Sequence, residues 1–170
     1  MGHIVLVGLM GSGKTTVGAA VAAALGVPYR DSDGDIELDT GLRARDLAER
    51  DGIDALHAVE ARHLLEALEA PGTTVVSAAG STLDDPACKA ALRAPHHLVV
   101  WLRASPADIA ARLRPDDHRP EFGADLTEVI RKQAQTRTPA LRDAADLTLD
   151  ATRPPDELVE SVLAHADPVR

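Results

Sequence analysis

Residues 4–18 constrain the fold of this chain more than any other stretch. They read IVLVGLMGSGKTTVG. The β-branched apolar run at the start predicts a strand, and the spacing of Val17, Val21 and Leu25 predicts one apolar face of a helix. The segment between them, residues 8–15, matches the pattern G-x-x-x-x-G-K-[ST] at every fixed position. A strand, such a loop and a helix in this order predict a site for nucleotide phosphates.

Each residue type in this loop has a predicted chemical role. Gly8, Gly11 and Gly13 can adopt backbone conformations closed to other residues, so that N–H groups turn toward an anion. The N-terminus of the following helix adds the positive end of its dipole. Lys14 is predicted to neutralise the β- and γ-phosphates of ATP, and the Thr15 hydroxyl to bind Mg²⁺ directly. The loop residues predicted to bind ATP are Gly11, Ser12, Gly13, Lys14, Thr15 and Thr16.

Composition excludes several classes of function. The chain has 170 residues, the size of one compact domain, and a formal net charge of -9, which argues against DNA or RNA as the main partner. A single cysteine, Cys88, excludes an internal disulfide and a thiolate-rich zinc site. No apolar run is long enough for a membrane span, and the first strand leaves no room for a signal peptide. We therefore expect a cytoplasmic, monomeric protein that handles a small anion.

Two aspartates follow the second predicted strand. That strand covers residues 27–30 and runs into Asp31-Ser32-Asp33. Ligands of parallel α/β sheets bind beyond the carboxyl ends of the strands, so the pair should share an edge with the phosphate loop. We expect the two side chains to point to different sides of this segment and to serve different partners. Asp31 would then face the metal through water, and Asp33 an acceptor hydroxyl. The alternative is that one or both cap the next helix.

The remaining pattern alternates helices with strands. Residues 34–70 read as a helical insertion, and further strands are predicted at 73–79, 98–102 and 147–149. The segment 115–124, with two prolines and a glycine, reads as a surface loop placed where a lid would be useful. A helix should follow from about residue 125 to 136, with an interruption at Thr138-Pro139. These elements predict one α/β domain over residues 1–170, with a parallel sheet and helices on both faces.

A phosphate loop, two aspartates and an arginine-bearing loop together indicate phosphoryl transfer. Such catalysis is mainly positioning and charge neutralisation. Lys14, Mg²⁺ and one or more arginines would neutralise the transferring group, while a carboxylate would orient, or also deprotonate, an acceptor hydroxyl. The alternative from another class is a nucleotide-binding protein without turnover. Loss of Asp33 or Arg119 would favour that alternative, and both are present.

These motifs resemble those of the shikimate kinase family, which has a nucleoside-monophosphate-kinase-like P-loop fold. The resemblance is most specific over residues 8–18 and 31–33. It continues through Ile36-Glu37, Thr40-Gly41, Gly52, Glu60, Gly80, Pro86, Arg112, Arg119-Pro120, Arg137, Pro139 and Ala145-Asp146. It implies transfer of the γ-phosphate of ATP to a hydroxyl of a small cyclic polyol, with shikimate as the first expectation. It also implies a three-layer fold with a five-stranded sheet in the order 2-3-1-4-5.

The resemblance also implies roles for individual residues. Lys14 and Arg119 would hold the phosphates, and Asp33 would activate the acceptor hydroxyl. Thr15 and Asp31 match the metal positions, and Arg112 would stack on adenine. The residues implied to contact the acceptor are Asp33, His57, Glu60, Gly80 and Arg137.

Two departures from the family pattern concern the acceptor. His57 stands where the family has one of two arginines that grip the substrate carboxylate, and the family's three-glycine turn reads Ala79-Gly80-Ser81. A guanidinium binds a carboxylate bidentately and is always charged, whereas histidine is mostly neutral at pH 7. The acceptor is therefore either shikimate or another cyclitol or sugar without a carboxylate. His57 could also simply pair with Glu60, three residues along its helix.

Overall fold

A computed structural model of the chain describes residues 2–113 and 126–166. Its strands are β1 (Ile4–Val7), β2 (Tyr29–Asp31), β3 (Val75–Ser77), β4 (Leu98–Arg103) and β5 (Leu147–Asp150). They form one sheet in the order β2-β3-β1-β4-β5, and each neighbouring pair is parallel. The predicted α/β class and strand order are confirmed.

Helices connect the strands. Helix α1 (Lys14–Leu25) follows β1, and α2 (Ser32–Thr40), α3 (Ala44–Asp51) and α4 (Ile53–Glu69) form the insertion before β3. A 3₁₀ turn (Gly80–Leu83) and α5 (Pro86–Leu92) come next, then α6 (Pro106–Arg112), α7 (Leu126–Ala144) and α8 (Pro155–His165). The predicted lid, residues 115–124, lies outside the described residues. No described helix combines the length and the apolar character that a membrane crossing requires.

The sheet buries a different set of side chains on each face. Successive strand residues point to opposite faces, so β1 sends Val5 and Val7 one way and Ile4 and Leu6 the other. The first pair packs with residues of α4, α6 and α7, and the second with residues of α1 and α8. Burial on both faces explains why these strands are almost wholly apolar. Polar side chains lie instead at the carboxyl ends of the strands.

Several predicted element boundaries are wrong. Strand β2 covers Tyr29–Asp31 and not residues 27–30. Strand β3 covers Val75–Ser77 and not 73–79, since the chain enters the 3₁₀ turn at Gly80. Helix α7 runs through Pro139 without the predicted interruption. A proline inside a helix removes one hydrogen bond and costs about 3 kcal/mol. The burial of Ile130 and Leu141 on the same helix offsets that cost.

Candidate active site

A cleft of about 330 Å³ opens at the carboxyl ends of β1, β2 and β3. Its lining residues are Met10, Gly11, Gly13, Lys14, Thr15, Asp31, Ser32, Asp33, Ser77, Ala78, Ala79, Arg112 and Leu113. The structure thus brings the phosphate-loop residues and both predicted aspartates into one cleft. This is the arrangement expected when ligands bind beyond the carboxyl ends of parallel strands.

The loop between β1 and α1 has the backbone that its glycines predict. Gly8 has a φ of 149°, and a Cβ there would lie 2.7 Å from the Leu102 carbonyl oxygen. Gly13 caps α1 in the left-handed region, with a φ of 95°. Lys14 Nζ donates to the carbonyl oxygens of Gly8 at 3.0 Å and Leu9 at 3.1 Å. These contacts hold the ammonium group against the loop, beside the N-terminus of α1.

The two loop hydroxyls predicted to bind phosphate differ in exposure. Thr16 is exposed in the first turn of α1, whereas Ser12 is 1% exposed. Within the described residues, the buried Ser12 Oγ has no hydrogen-bond partner. Their contacts with phosphate remain predictions.

Thr15 and Asp31 contact each other across the cleft. Thr15 Oγ1 donates to Asp31 Oδ2 at 2.9 Å. The Tyr29 hydroxyl donates to the same oxygen at 2.7 Å and lies 2.8 Å from Ser77 Oγ. Burial raises the pKa of the Tyr29 phenol above its ordinary value, which keeps it protonated as a donor. Asp31 is therefore fixed by hydroxyl groups from α1 and from its own strand.

The prediction that Asp31 and Asp33 point to different sides of an extended segment is wrong. Residues two apart in a strand share one face, and the extended segment ends at Asp31. Asp31 ends β2, but Asp33 lies in the first turn of α2. Asp31 is the N-cap of that helix, and its Oδ1 accepts a hydrogen bond from the Asp33 backbone N–H at 3.0 Å. The capping alternative is thus correct for Asp31. Asp33 is exposed and lines the cleft from the helix.

The Thr15 and Asp31 oxygens fit the chemistry of Mg²⁺. This ion prefers hard oxygen ligands, and in phosphate sites it takes one or two from the protein and the rest from phosphates and waters. The Thr15 hydroxyl hydrogen is directed to Asp31, so an oxygen lone pair remains available for a metal.

Gly80 and Arg137 lie together beside Ala79, which lines the cleft. A Cβ at Gly80 would come 3.3 Å from Arg137 Nη1, so a larger residue would displace the guanidinium. The Arg137 side chain is 13% exposed, and its Nε and Nη2 each lie 3.2 Å from Asp84 Oδ2. Arg137 is therefore held between the 3₁₀ turn and an acidic partner.

Glu60 and His57 do not form the pair that their helical spacing predicted. Glu60 is 2% exposed, and its Oε2 accepts a hydrogen bond from Ser81 Oγ. Within the described residues, His57 is half-buried and makes no hydrogen bond or ion pair. The alternative in which His57 simply pairs with Glu60 is therefore wrong, and Glu60 Oε2 is bonded to the turn instead. Glu60 therefore joins α4 to the altered glycine turn.

Of the two other predicted arginines, only Arg112 falls within the described residues. It ends α6, lines the cleft, and its Nη2 donates to the Ala151 carbonyl oxygen at 2.7 Å. Arg119 lies outside the described residues.

The sequence interpretation missed several residues that support the site. Asp84 and Asp85 follow the 3₁₀ turn directly, and Asp85 is the N-cap of α5. The pairing of Asp84 with Arg137 spans 53 positions and leaves no local signal. Tyr29 and Ser77 lie on neighbouring strands, but the register pairs Ser77 with Asp31, and Tyr29 reaches Ser77 through the length of its side chain.

The comparisons with known proteins decide the family. The model of the shikimate kinase family matches residues 10–167. The chain belongs to the shikimate kinase family. A shikimate kinase from Thiobacillus denitrificans is 36% identical, with 89% of this chain and 82% of the relative aligned. Shikimate kinase 2 from Sodalis glossinidius is 32% identical, with 98% of this chain and 96% of the relative aligned.

A solved structure of the same family agrees over nearly the whole chain. Shikimate kinase from Acinetobacter baumannii, in complex with shikimate, superposes with a TM-score of 0.89 at 26% identity. The match covers 97% of this chain and 92% of that one.

Proposed function

We propose that this protein transfers the γ-phosphoryl group of ATP to a hydroxyl of shikimate. Membership of the shikimate kinase family supports the reaction class. The observation that carries the proposal is the common cleft, which Lys14, Thr15 and Asp33 all line. Phosphoryl donor and acceptor hydroxyl could therefore meet in one cleft.

The residues of the cleft account for each part of this reaction. A hydroxyl oxygen of the acceptor forms a bond to the γ-phosphorus, and the bond from that phosphorus to the oxygen bridging to the β-phosphate breaks. Asp33 orients the hydroxyl and takes its proton, while ADP leaves. Lys14 neutralises charge that develops on the phosphate oxygens. Thr15, with Asp31 through water, would hold Mg²⁺, which supplies further neutralisation when bound.

A charge argument favours a second candidate acceptor, a neutral cyclitol or sugar. Arg137 already forms an ion pair with Asp84. At residue 57, where the family pattern has a second arginine, this chain has a histidine. Of the two arginines that the family pattern places beside the acceptor, this chain therefore keeps Arg137, whose charge is partly cancelled by Asp84. A carboxylate would gain less attraction here than from two unpaired guanidinium groups.

The location and assembly of the protein are part of the proposal. ATP and Mg²⁺ are supplied in the cytoplasm, so we infer a cytoplasmic location. We also infer a monomer, which sedimentation of the purified protein would test.

The direct test is phosphotransfer with Mg²⁺-ATP and a panel of acceptors. ADP release would be coupled to a reporter reaction, and the product identified by mass spectrometry. We expect turnover of shikimate, lost by a factor of about 100 or more in Lys14→Ala and in Asp33→Asn. If a neutral polyol is phosphorylated and shikimate is not, the second candidate acceptor is correct and shikimate is wrong.

Matched controls separate charge at the site from charge elsewhere. Lys132 is an exposed lysine of α7, and Asp39 an exposed aspartate of α2. Lys132→Ala and Asp39→Asn should retain the wild-type rate. An Asp33→Asn variant with full activity would refute the role of Asp33, and the absence of turnover with every acceptor would refute the kinase proposal.

A further inference from the structure

A cluster of ionisable side chains lies outside the cleft and has no part in the chemistry above. It consists of Arg30 from β2, Asp35 from α2 and His63 from α4. Arg30 Nε forms an ion pair with Asp35 Oδ2, and His63 Nε2 lies 2.7 Å from the same oxygen. The exposed fraction of the side chain is 34% for Arg30, 22% for Asp35 and 4% for His63. A histidine so deeply buried beside a carboxylate requires an explanation.

The geometry assigns the proton of the His63 ring. A carboxylate oxygen only accepts hydrogen bonds, so His63 Nε2 must carry a hydrogen and donate it to Asp35. The same nitrogen lies 3.0 Å from Arg30 Nη2, which also carries hydrogens. That contact is therefore not a hydrogen bond, and both His63 and Arg30 are joined through Asp35.

The cluster joins the two helices on the acceptor side to the strand that carries Asp31. Arg30 points away from Tyr29 and Asp31, because successive strand residues point to opposite faces. Tyr29 and Asp31 contact residues of α1 and β3, whereas Arg30 reaches α2 and α4. The strand is thus tied to α1 on one side and to the helical insertion on the other.

Asp35 fixes the rotation of α2 about its axis. Helix residues that are two positions apart in sequence are rotated by about 200° about the helix axis. Asp33 and Asp35 therefore lie on nearly opposite sides of α2. Asp33 lines the cleft, and Asp35 faces His63. The first turn of α2 is therefore held at two points, at its N-cap by Asp31 and on its far side by the cluster.

We propose that His63 is a positioning residue for the acceptor reaction. Through Asp35 it sets the orientation of α2, and with it the direction of the Asp33 carboxylate relative to α4 and Glu60. This inference rests on the proposed function, because Asp33 must act on an acceptor for its direction to matter. An error of about 1 Å in such a group lowers the rate as much as 100-fold.

The kinetic test compares His63→Leu with His63→Gln. Leucine fills the space without a donor, whereas the glutamine amide can still donate to Asp35. We expect His63→Leu to raise KM for the acceptor and lower kcat, a combined loss of about 10-fold or more in kcat/KM. KM for ATP and the slow acceptor-independent hydrolysis of ATP should stay within about twofold, and His63→Gln should restore most of the loss. His165→Leu, at an exposed histidine of α8, is the matched control.

A second measurement needs no acceptor. Hydrogen exchange of the α2 amides should be about 10-fold faster in His63→Leu than in wild type, while the α1 amides should be unchanged. If His63→Leu does not fold, Asp35→Asn replaces it, because it keeps the shape and weakens both contacts.

The outcomes separate this inference from the proposed function. An equal fall in every parameter, including acceptor-independent hydrolysis, would show a purely structural role and overturn the inference. Unchanged kinetics and unchanged α2 exchange would also overturn it. If the wild type phosphorylates no acceptor, the proposed function fails, and α2 exchange alone decides whether His63 positions this helix.

Discussion

Asp84 Oδ2 lies 3.2 Å from both Nε and Nη2 of Arg137. This pair orients the guanidinium beside Gly80 and also cancels part of its charge. The two effects oppose each other for an acceptor with a carboxylate. A neutral acceptor would be affected only by the orientation.

Replacing Asp84 should therefore change the preference for charged acceptors. In Asp84→Asn the amide can keep the orientation while the negative charge is lost. We expect kcat/KM for shikimate to rise about threefold to tenfold relative to a neutral cyclitol. Competition between the two acceptors would measure the ratio of their kcat/KM values. The increase in this ratio should be smaller at about 0.5 M salt, because salt screens electrostatic interactions. Asp39→Asn removes one charge at an exposed position of α2 outside the cleft lining and controls for net charge. A larger KM for shikimate in Asp84→Asn would contradict the charge argument.

Restoring an arginine at position 57 should strengthen carboxylate binding. A bidentate guanidinium–carboxylate contact is about twice as strong as a neutral hydrogen bond. We expect His57→Arg to lower KM for shikimate about 10-fold and to leave KM for ATP unchanged. Initial rates over a range of shikimate concentrations would measure this. Ala58→Arg adds the same charge at the next, exposed position of α4 and should have little effect. An unchanged KM in His57→Arg would show that the acceptor carboxylate does not lie near residue 57.

The donor half of the site was predictable from sequence because its signals are local. The residues of the phosphate loop are contiguous, and the strand and helix beside it have clear apolar periods. Asp33 was predicted to face the cleft, but its secondary structure was not, since Asp31 both ends a strand and caps a helix. The N-cap residue itself has extended φ and ψ angles, so the sequence alone does not separate the end of a strand from the cap of the next helix.

The acceptor half could not be predicted because its contacts join distant segments. Ser81 meets Glu60 across 21 positions, and His63 meets Asp35 across 28. Neither pairing follows from helical or strand spacing. Pro139 was misinterpreted for a related reason, because packing of the helix outweighs a local preference to end it.

Gly18 should be sensitive to any side chain. A Cβ there would lie 2.7 Å from the Tyr29 ring and 2.9 Å from Ser77 Oγ. We expect Gly18→Ala to lower the free energy of unfolding by about 1–3 kcal/mol, through overpacking, and to disturb the hydroxyl contacts of Asp31. Gly34→Ala is the matched control, since a Cβ at this α2 position meets nothing within 4 Å. It should raise the free energy of unfolding by about 0.5–1 kcal/mol. Urea unfolding would measure both, and equal effects would refute the packing argument.

His3 and His97 should make folding stability depend on pH. Their ring centroids are 5.2 Å apart, and the His3 backbone N–H donates to His97 Nδ1 at 3.1 Å. Burial lowers the pKa of His3, and it lowers the pKa of His97 from 6.5 to about 4. The unfolded chain therefore binds more protons than the folded chain between these values. The free energy of unfolding should therefore be higher above about pH 6.5 and should decrease as the pH is lowered toward about 4.

The variant His97→Asn isolates this effect from the carboxylates that titrate in the same range. Its side-chain oxygen can still accept the His3 N–H, but it does not titrate. We expect the loss of unfolding free energy between about pH 6.5 and pH 4 to be smaller than in wild type by about 1–2 kcal/mol, because His97 is only half-buried and solvent screens part of the shift. Urea unfolding over this pH range would give the two curves. His96→Asn removes the exposed neighbouring histidine and should follow the wild type more closely. Parallel curves for His97→Asn and wild type would mean that His97 titrates alike in the folded and unfolded chains.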